Sequence, residues 1–296
     1  MAFAFREVTI SGNKVGVEGI SAALNEITDV LVNEMDWELF DDRRTQAGNS
    51  NVTLTHKVVF RNNGGEDGTA NSWYFTLTSG TSAGVASNVI GFQMTDSYEF
   101  GDHDTSASGV ETPTSHNGGV TMTLDSNGIF NLWVSGNKDG LVFVNNRENV
   151  YGVLLVGKSK TFLDSVTEPQ GLYAFSSASS TLATTSSART IAGNPPEAFS
   201  ATSDSEILSL TQTSNNEPRS GLGNTDAIFT LLPLTLTVDD TTGPRKGFIG
   251  LLQNVWSVPP TSAGWIKESL VAISGSNQTY LAFPHTGAGG IAIRKT

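Results

Sequence analysis

Only one stretch of this chain spaces its apolar residues at intervals of three and four. Ile20, Leu24, Ile27, Leu31 and Met35 fall on one face of a 3.6-residue helix; Asn25, Glu26, Asp29, Asn33 and Glu34 fall largely on the other. Ser21 is placed to cap the N-terminus, since its hydroxyl can accept from an unpaired backbone N–H. Leu24 stands where a full capping box needs Glu or Gln. The following DWELFDD suggests a short strand leaving the helix through Trp37, Leu39 and Phe40. Asp36, Glu38, Asp41 and Asp42 read as a solvated acidic rim, with Arg43 and Arg44 as counter-charges.

Elsewhere the pattern is that of strands. MAFAFREVTISGNKVGV reads as a short strand and a turn before the helix. VTLTHKVVF (52–60), SWYFTLTS (72–79), VIGFQMTDSYEF (89–100), VTMTLD (120–125), IFNLWVS (129–135), LVFVNN (141–146) and VYGVLLVGK (150–158) are rich in β-branched and aromatic residues, and many alternate apolar with polar. DSNG and NKDG are hairpin signals, which predicts an antiparallel meander over 120–158 for the helix to pack on. Residues 101–119 read as an exposed loop. From 176 to 206 the sequence turns to Ser, Thr and Ala with few large apolar residues, as in a linker or long loop. ILSLTQT, AIFTLLPLTLTVD, FIGLLQNVWSV, SLVAISG, QTYLAF and GIAIRK follow, and Pro233 inside the second marks an edge or a bend. The expected class is α+β, mainly β: one N-terminal amphipathic helix packed on an antiparallel sheet, then a small all-β domain. The expected boundaries are 1–175, a linker or long loop at 176–206, and 207–296.

Composition narrows the function classes. A length of 296 residues fits two domains and a substantial core. A net charge of -12 argues against nucleic acid as a partner, because such a surface should be basic. With no Cys there are no disulfides or thiolate metal sites. No N-terminal secretory pattern and no membrane-spanning apolar run is visible.

Three motifs carry chemistry on paper. Gly152 to Ser159 matches the phosphate-loop pattern, but its four middle residues, VLLV, favour a buried strand, and SKTFLDSVTEP is a poor following helix. Gly80-Thr81-Ser82-Ala83-Gly84 matches a nucleophile elbow, with Asp102 or Asp104 and His116 or His285 as nominal partners; the residues after Ser82 read as turn and strand, not helix. Asp102, His103, Asp104, Glu111 and His116 are suitable metal donors, yet their spacing matches no defined ligand set. No pair of acidic residues stands out for glycoside hydrolysis. Trp73, Tyr74, Trp133, Trp256 and Trp265 are able to stack on sugar rings, but such residues serve more often in interiors or subunit interfaces.

Several segments together resemble structural proteins of tailed-bacteriophage virions. They are the helix running into MDWELFDDRR, the Gly-rich turn in HKVVFRNNGGEDGTANSWYFTL, the successive strands of NLWVSGNKDGLVFVNNRENVYGVLLVGK, and the C-terminal AIFTLLPLTLT, RKGFIGLLQNVWSV and QTYLAFPHTGAGGIAIRK. The resemblance implies a non-enzymatic virion component at the neck or collar, tail or baseplate, assembled in the host cytoplasm. It implies other virion proteins and copies of the chain itself as partners, with no catalytic residues, no cofactor and no metal. Trp37, Phe40, Trp256 and Trp265 are the candidate interface residues, the alternative for each being the monomer core. A carbohydrate- or receptor-binding tail module meeting a host surface glycan is the second reading, and a hydrolase using Ser82 the third.

Overall fold

The computed structural model describes residues 3–10, 17–42, 56–62, 73–79, 89–95, 118–123, 130–147, 150–158, 160–161, 172–177, 188–191, 206–211, 231–240, 246–258, 268–272, 275–283 and 290–296. The strand Ala4–Ile10 (β1) precedes the helix Val17–Asp29 (α1), a π-helical turn at Val30–Glu34 and the strand Glu38–Asp42 (β2). Next come His56–Arg61 (β3), Tyr74–Ser79 (β4), Val89–Thr95 (β5), Gly118–Thr123 (β6), Phe130–Gly136 (β7), Gly140–Arg147 (β8) and Val150–Lys158 (β9). Lys160–Thr161 (β10), Leu172–Ser177 (β11), Ala188–Ile191 (β12), Glu206–Thr211 (β13), Leu232–Asp240 (β14) and Lys246–Val258 (β15) follow. Ser269–Ala272 (β16), Thr279–Phe283 (β17) and Gly290–Arg294 (β18) complete the order. The described protein is mainly β, in antiparallel sheets, with one short helix.

A central six-stranded sheet has the order β1-β7-β8-β9-β11-β12. Its strands β7, β8 and β9 carry near-continuous apolar runs because both of their faces are buried. Leu132, Val134, Leu141, Phe143, Leu154 and Val156 face one core, with α1 and the five-stranded sheet β2-β3-β4-β5-β6 on its far side. The alternate residues Trp133, Val142, Val144, Tyr151, Val153 and Leu155 face a second core. Leu234, Leu252, Val255, Leu281, Phe283, Ile291 and Ile293 fill that core from the C-terminal sheet, ordered β13-β14-β15-β18-β17-β16 with β10 on β15. The result is three layers, and the period of two along each central strand divides its side chains between the two cores. Residues of the central and the C-terminal sheets thus belong to one buried cluster.

The helix meets its expectation on the described side chains: Leu24, Ile27, Leu31 and Met35 are buried. Arg6 of β1 ties it down, its guanidinium donating to Asp29 and Glu34 and lying 3.5 Å from Glu26. The bond from Arg6 holds the Asp29 carboxyl below its ordinary range. Two local readings are corrected. Ser21 lies inside α1, which begins four residues earlier at Val17, so it is not the cap. The DSNG segment joins no hairpin, because β6 pairs with β5 in the outer sheet whereas β7 lies between β1 and β8. The meander therefore begins at β7, not at 120.

NKDG does join β7 to β8. Asn137 Oδ1 accepts the N–H groups of Asp139 and Gly140 at 3.0 and 3.2 Å. Gly136 holds φ 149°, and a Cβ there would stand 2.1 Å from the Gly140 carbonyl oxygen. β13 ends opposite Thr235, so Pro233 pairs only with Trp256, beside a register shift. The stretch 176–206 contains the end of β11 and the whole of β12, which pairs with β11. The 101–119 loop lies outside the described residues except where β6 begins.

Candidate interaction surface

The surface begins where the helix stops. Met35 N–H donates to the Val30 carbonyl at 3.0 Å and Trp37 N–H to the Leu31 carbonyl at 2.9 Å, a wide π-type closure. Asp36 then takes φ 60°, the left-handed backbone that Asp tolerates better than most residues. Lys138 Nζ donates to its carboxylate at 2.7 Å, and that bond holds the Asp36 carboxyl below its ordinary range. The reversal sends Trp37 into the core, where its ring meets Trp73 edge-on at 4.9 Å. Trp37 thus lies in the core, the alternative weighed for it.

Phe40 has the opposite placement. β2 is the outermost strand of its sheet, and Leu39 lies opposite Phe60 while Asp41 lies opposite Val59. Phe40 is the extra residue of this bulge. The bulge breaks the alternation, leaving Leu39 37% and Phe40 40% exposed in succession. It also covers Asp41, which is only 8% exposed, so the expected acidic rim loses that member. The Phe40 ring meets Tyr74 edge-on at 5.2 Å, and the Arg61 guanidinium lies 5.4 Å from its centroid. Arg61 Nε donates to Glu38 Oε2 at 2.7 Å, and that contact pushes the Arg61 pKa further up. Phe40, Tyr74, Arg61 and Glu38 thereby form an ordered mixed patch, two rings beside an ion pair. Ordering side chains in advance lowers the entropy lost on docking.

A second exposed apolar residue lies on the outermost strand of the C-terminal sheet. Leu270 of β16 is 60% exposed, although its partner Leu281 is buried against the central sheet. Just before it, Glu268 holds φ 59°, donates its N–H to the Ala282 carbonyl at 2.8 Å, and accepts from Tyr151 Oη at 2.7 Å. Burial, then the Glu268 carboxylate, push the Tyr151 hydroxyl pKa well up. Trp256 is half-buried on the other face of this sheet, edge-on to Tyr280 at 6.1 Å. Trp265 lies outside the described residues.

The chemical motifs do not form a site. Gly152 to Lys158 is strand β9, between β8 and β11, with no loop to wrap phosphate. Gly152 has a packing reason: a Cβ there would lie 2.1 Å from Asn145 Oδ1 on the neighbouring strand. Trp73 and Trp133 are interior. Ser82, Asp102, His103, Asp104, Glu111, His116 and His285 lie outside the described residues. Among the described residues no three His, Cys, Asp or Glu gather as a metal site, and no helix is long and apolar enough to cross a membrane.

Leu39, Arg61 and Leu270 were missed as surface candidates, whereas Tyr74 was named only for stacking on sugar rings. The adjacent pair Leu39-Phe40 in an otherwise alternating strand was the available signal, since two successive apolar residues cannot share one face without a bulge. No protein-family model matches this chain, and the curated proteins give no match.

Proposed function

We propose that this protein is a non-enzymatic structural component of a tailed-phage particle, assembling with other virion proteins at the neck or collar, tail or baseplate. The sequence resemblance supplies the setting. The observation that carries the reading is the placement of apolar side chains. Among the described residues, the exposed large ones are Leu39, Phe40 and Leu270, all on outermost strands of the two outer sheets. A scaffold of this kind works by shape and burial: stacked sheets hold the edges rigid, and the edges meet neighbours.

Quantitative peptide mass spectrometry on gradient-purified particles tests this. Copies in a fixed small ratio to the major tail protein are expected. Abundance in the lysate with absence from particles would sink the reading. No observation among the described residues favours the carbohydrate-binding alternative, because Phe40 and Tyr74 meet edge to face and form no flat platform.

A further inference from the structure

We propose that β1 is a strap, held on the central sheet by charge and released by acid before the rest of the fold opens. This goes beyond the structural role and does not depend on it. β1 is an outermost strand of the central sheet and pairs with β7. Ile10 is its one buried residue, and Glu7 and Thr9 are exposed. Ala4, Val8 and Phe5 are only partly buried against the two cores. By contrast, β8 is buried from Gly140 to Asn145 and β9 from Tyr151 to Gly157. A strand with so few buried apolar contacts opens locally, at lower free energy than core strands. Its release leaves unpaired the β7 backbone groups that it covers between Phe130 and Gly136.

Charge supplies what burial does not. On one face Arg6 donates to Asp29 and Glu34 and lies 3.5 Å from Glu26. The π-helical turn builds this clamp. Asp29 and Glu34 are five residues apart, which would set them about 140° apart round an α-helix. A π-helix repeats at i→i+5, so the two carboxylates stand one above the other, within reach of one guanidinium. Asn33 Nδ2 steadies the first of them, donating to Asp29 Oδ1 at 2.6 Å. An exposed ion pair contributes little by itself, but three carboxylates on one guanidinium act as a network. Towards the second core, the Arg294 guanidinium lies 4.1 Å from the Phe3 ring and the Lys295 ammonium 5.6 Å from the Phe5 ring. These contacts do not titrate in acid, where lysine and arginine stay protonated. The clamp does. Glu26, Asp29 and Glu34 are the acidic members among the described side chains of α1 and the π-helical turn, and all three face Arg6. β7, FNLWVSG, carries no charged residue. Arg6 holds the Asp29 carboxyl below its ordinary 3.8, so that contribution is present above pH 3.8 and lost as pH falls through the lower folded value.

Hydrogen–deuterium exchange of the full chain, followed by mass spectrometry, tests the strap. Protection factors are compared, so that the intrinsic pH dependence of exchange cancels. Between about pH 6 and about pH 3 a peptide covering β1 should lose at least threefold in protection, and one covering β8 less than half as much. Arg6→Gln should show the β1 loss already at about pH 6 and lose the acid dependence. Glu34→Gln should show part of it. The double variant should be no worse than Arg6→Gln, since Glu34 acts through Arg6. A smaller loss in wild type, an equal loss in β8, an Arg6→Gln chain that keeps wild-type protection, or additive effects in the double variant would each overturn the proposal. Should the variants fail to fold by circular dichroism, salt on the wild type at about pH 6 decides. The clamp is partly exposed, so screening must lower protection in β1 and spare β8, and unchanged protection in β1 overturns the strap.

Discussion

Trp37 and Phe40 stand three residues apart, and they show how differently the centre and the edge of this fold use an aromatic ring. Trp37 is sealed in a core with Trp73 and Phe75, while Phe40 lies 40% exposed over Tyr74. The difference is backbone geometry, not residue type. A left-handed residue at Asp36 turns the first ring inward, and a bulge in β2 leaves the second outside. The same contrast holds on a larger scale. Central strands are buried on both faces, whereas the outermost strands of the outer sheets carry the exposed apolar residues. Substitutions in the centre should therefore cost stability, and substitutions at the edge should leave it nearly unchanged.

The largest effect is expected at Trp133. It is fully buried in the centre of the second core, 5.0 Å from Phe283 and 5.9 Å from Tyr151. Trp133→Ala should lower unfolding free energy by about 3–5 kcal/mol, the usual cost of emptying such a site. Urea denaturation measures it. A cost near that of a surface substitution would mean that the central and C-terminal sheets do not share a core.

Next is Gly152→Ala, expected to cost about 1–3 kcal/mol because the added Cβ overpacks against Asn145. In an Asn145→Ala background the same substitution should cost less than half as much, the coupling expected of touching residues. Equal costs in both backgrounds would remove the packing explanation for this glycine. The prediction also separates the strand from a phosphate loop, whose glycines answer to ligand and not to a neighbouring Asn.

Legibility in the sequence followed locality. The stripe Leu24, Ile27, Leu31 and Met35 revealed the helix, and apolar runs placed β7, β8 and β9 within a residue or two. Pairing was harder. β1 pairs with β7, from Ala4 opposite Gly136 to Ile10 opposite Phe130, and no local pattern specifies so distant a partner. DSNG misled for a related reason, since turn chemistry says that the chain bends and not which sheet receives it. The runs LVFV and VLLV did hold the signal that the sheet is covered on both faces. For the surface, Phe40 was legible as a candidate. Arg61 and Leu270 were not, because their exposure depends on which strands are outermost.

Tyr151→Phe probes the seam between the two layers with a smaller change. It removes the hydrogen bond to Glu268 and should cost about 0.5–1.5 kcal/mol at neutral pH. The pH dependence is more specific. The hydroxyl pKa is raised in the folded protein above its ordinary 10.0, so its contribution is fully present below pH 10.0. Above that value the unfolded chain releases the proton first, and stability falls as pH rises towards the folded value. Tyr151→Phe should flatten this alkaline slope. An unchanged slope would assign it to other groups.

The smallest effect on folding is expected from Phe40→Ser, and that smallness makes it the sharpest test of the contrast. Phe40 is partly exposed and gives up one edge-on contact with Tyr74 and one with the Arg61 guanidinium, so the loss in unfolding free energy should be about 1 kcal/mol or less. Incorporation into particles should nevertheless weaken, because the ring is the largest apolar group exposed on β2. Comparing thermal melts with particle incorporation for Phe40→Ser and Trp133→Ala places the two residues on different axes. If Phe40→Ser unfolds the protein as Trp133→Ala does, Phe40 is part of the core's support and the division between centre and edge fails at this position. If it alters neither melting nor incorporation, the exposed ring has no role in assembly, and the exposure of Phe40 does not mark a contact.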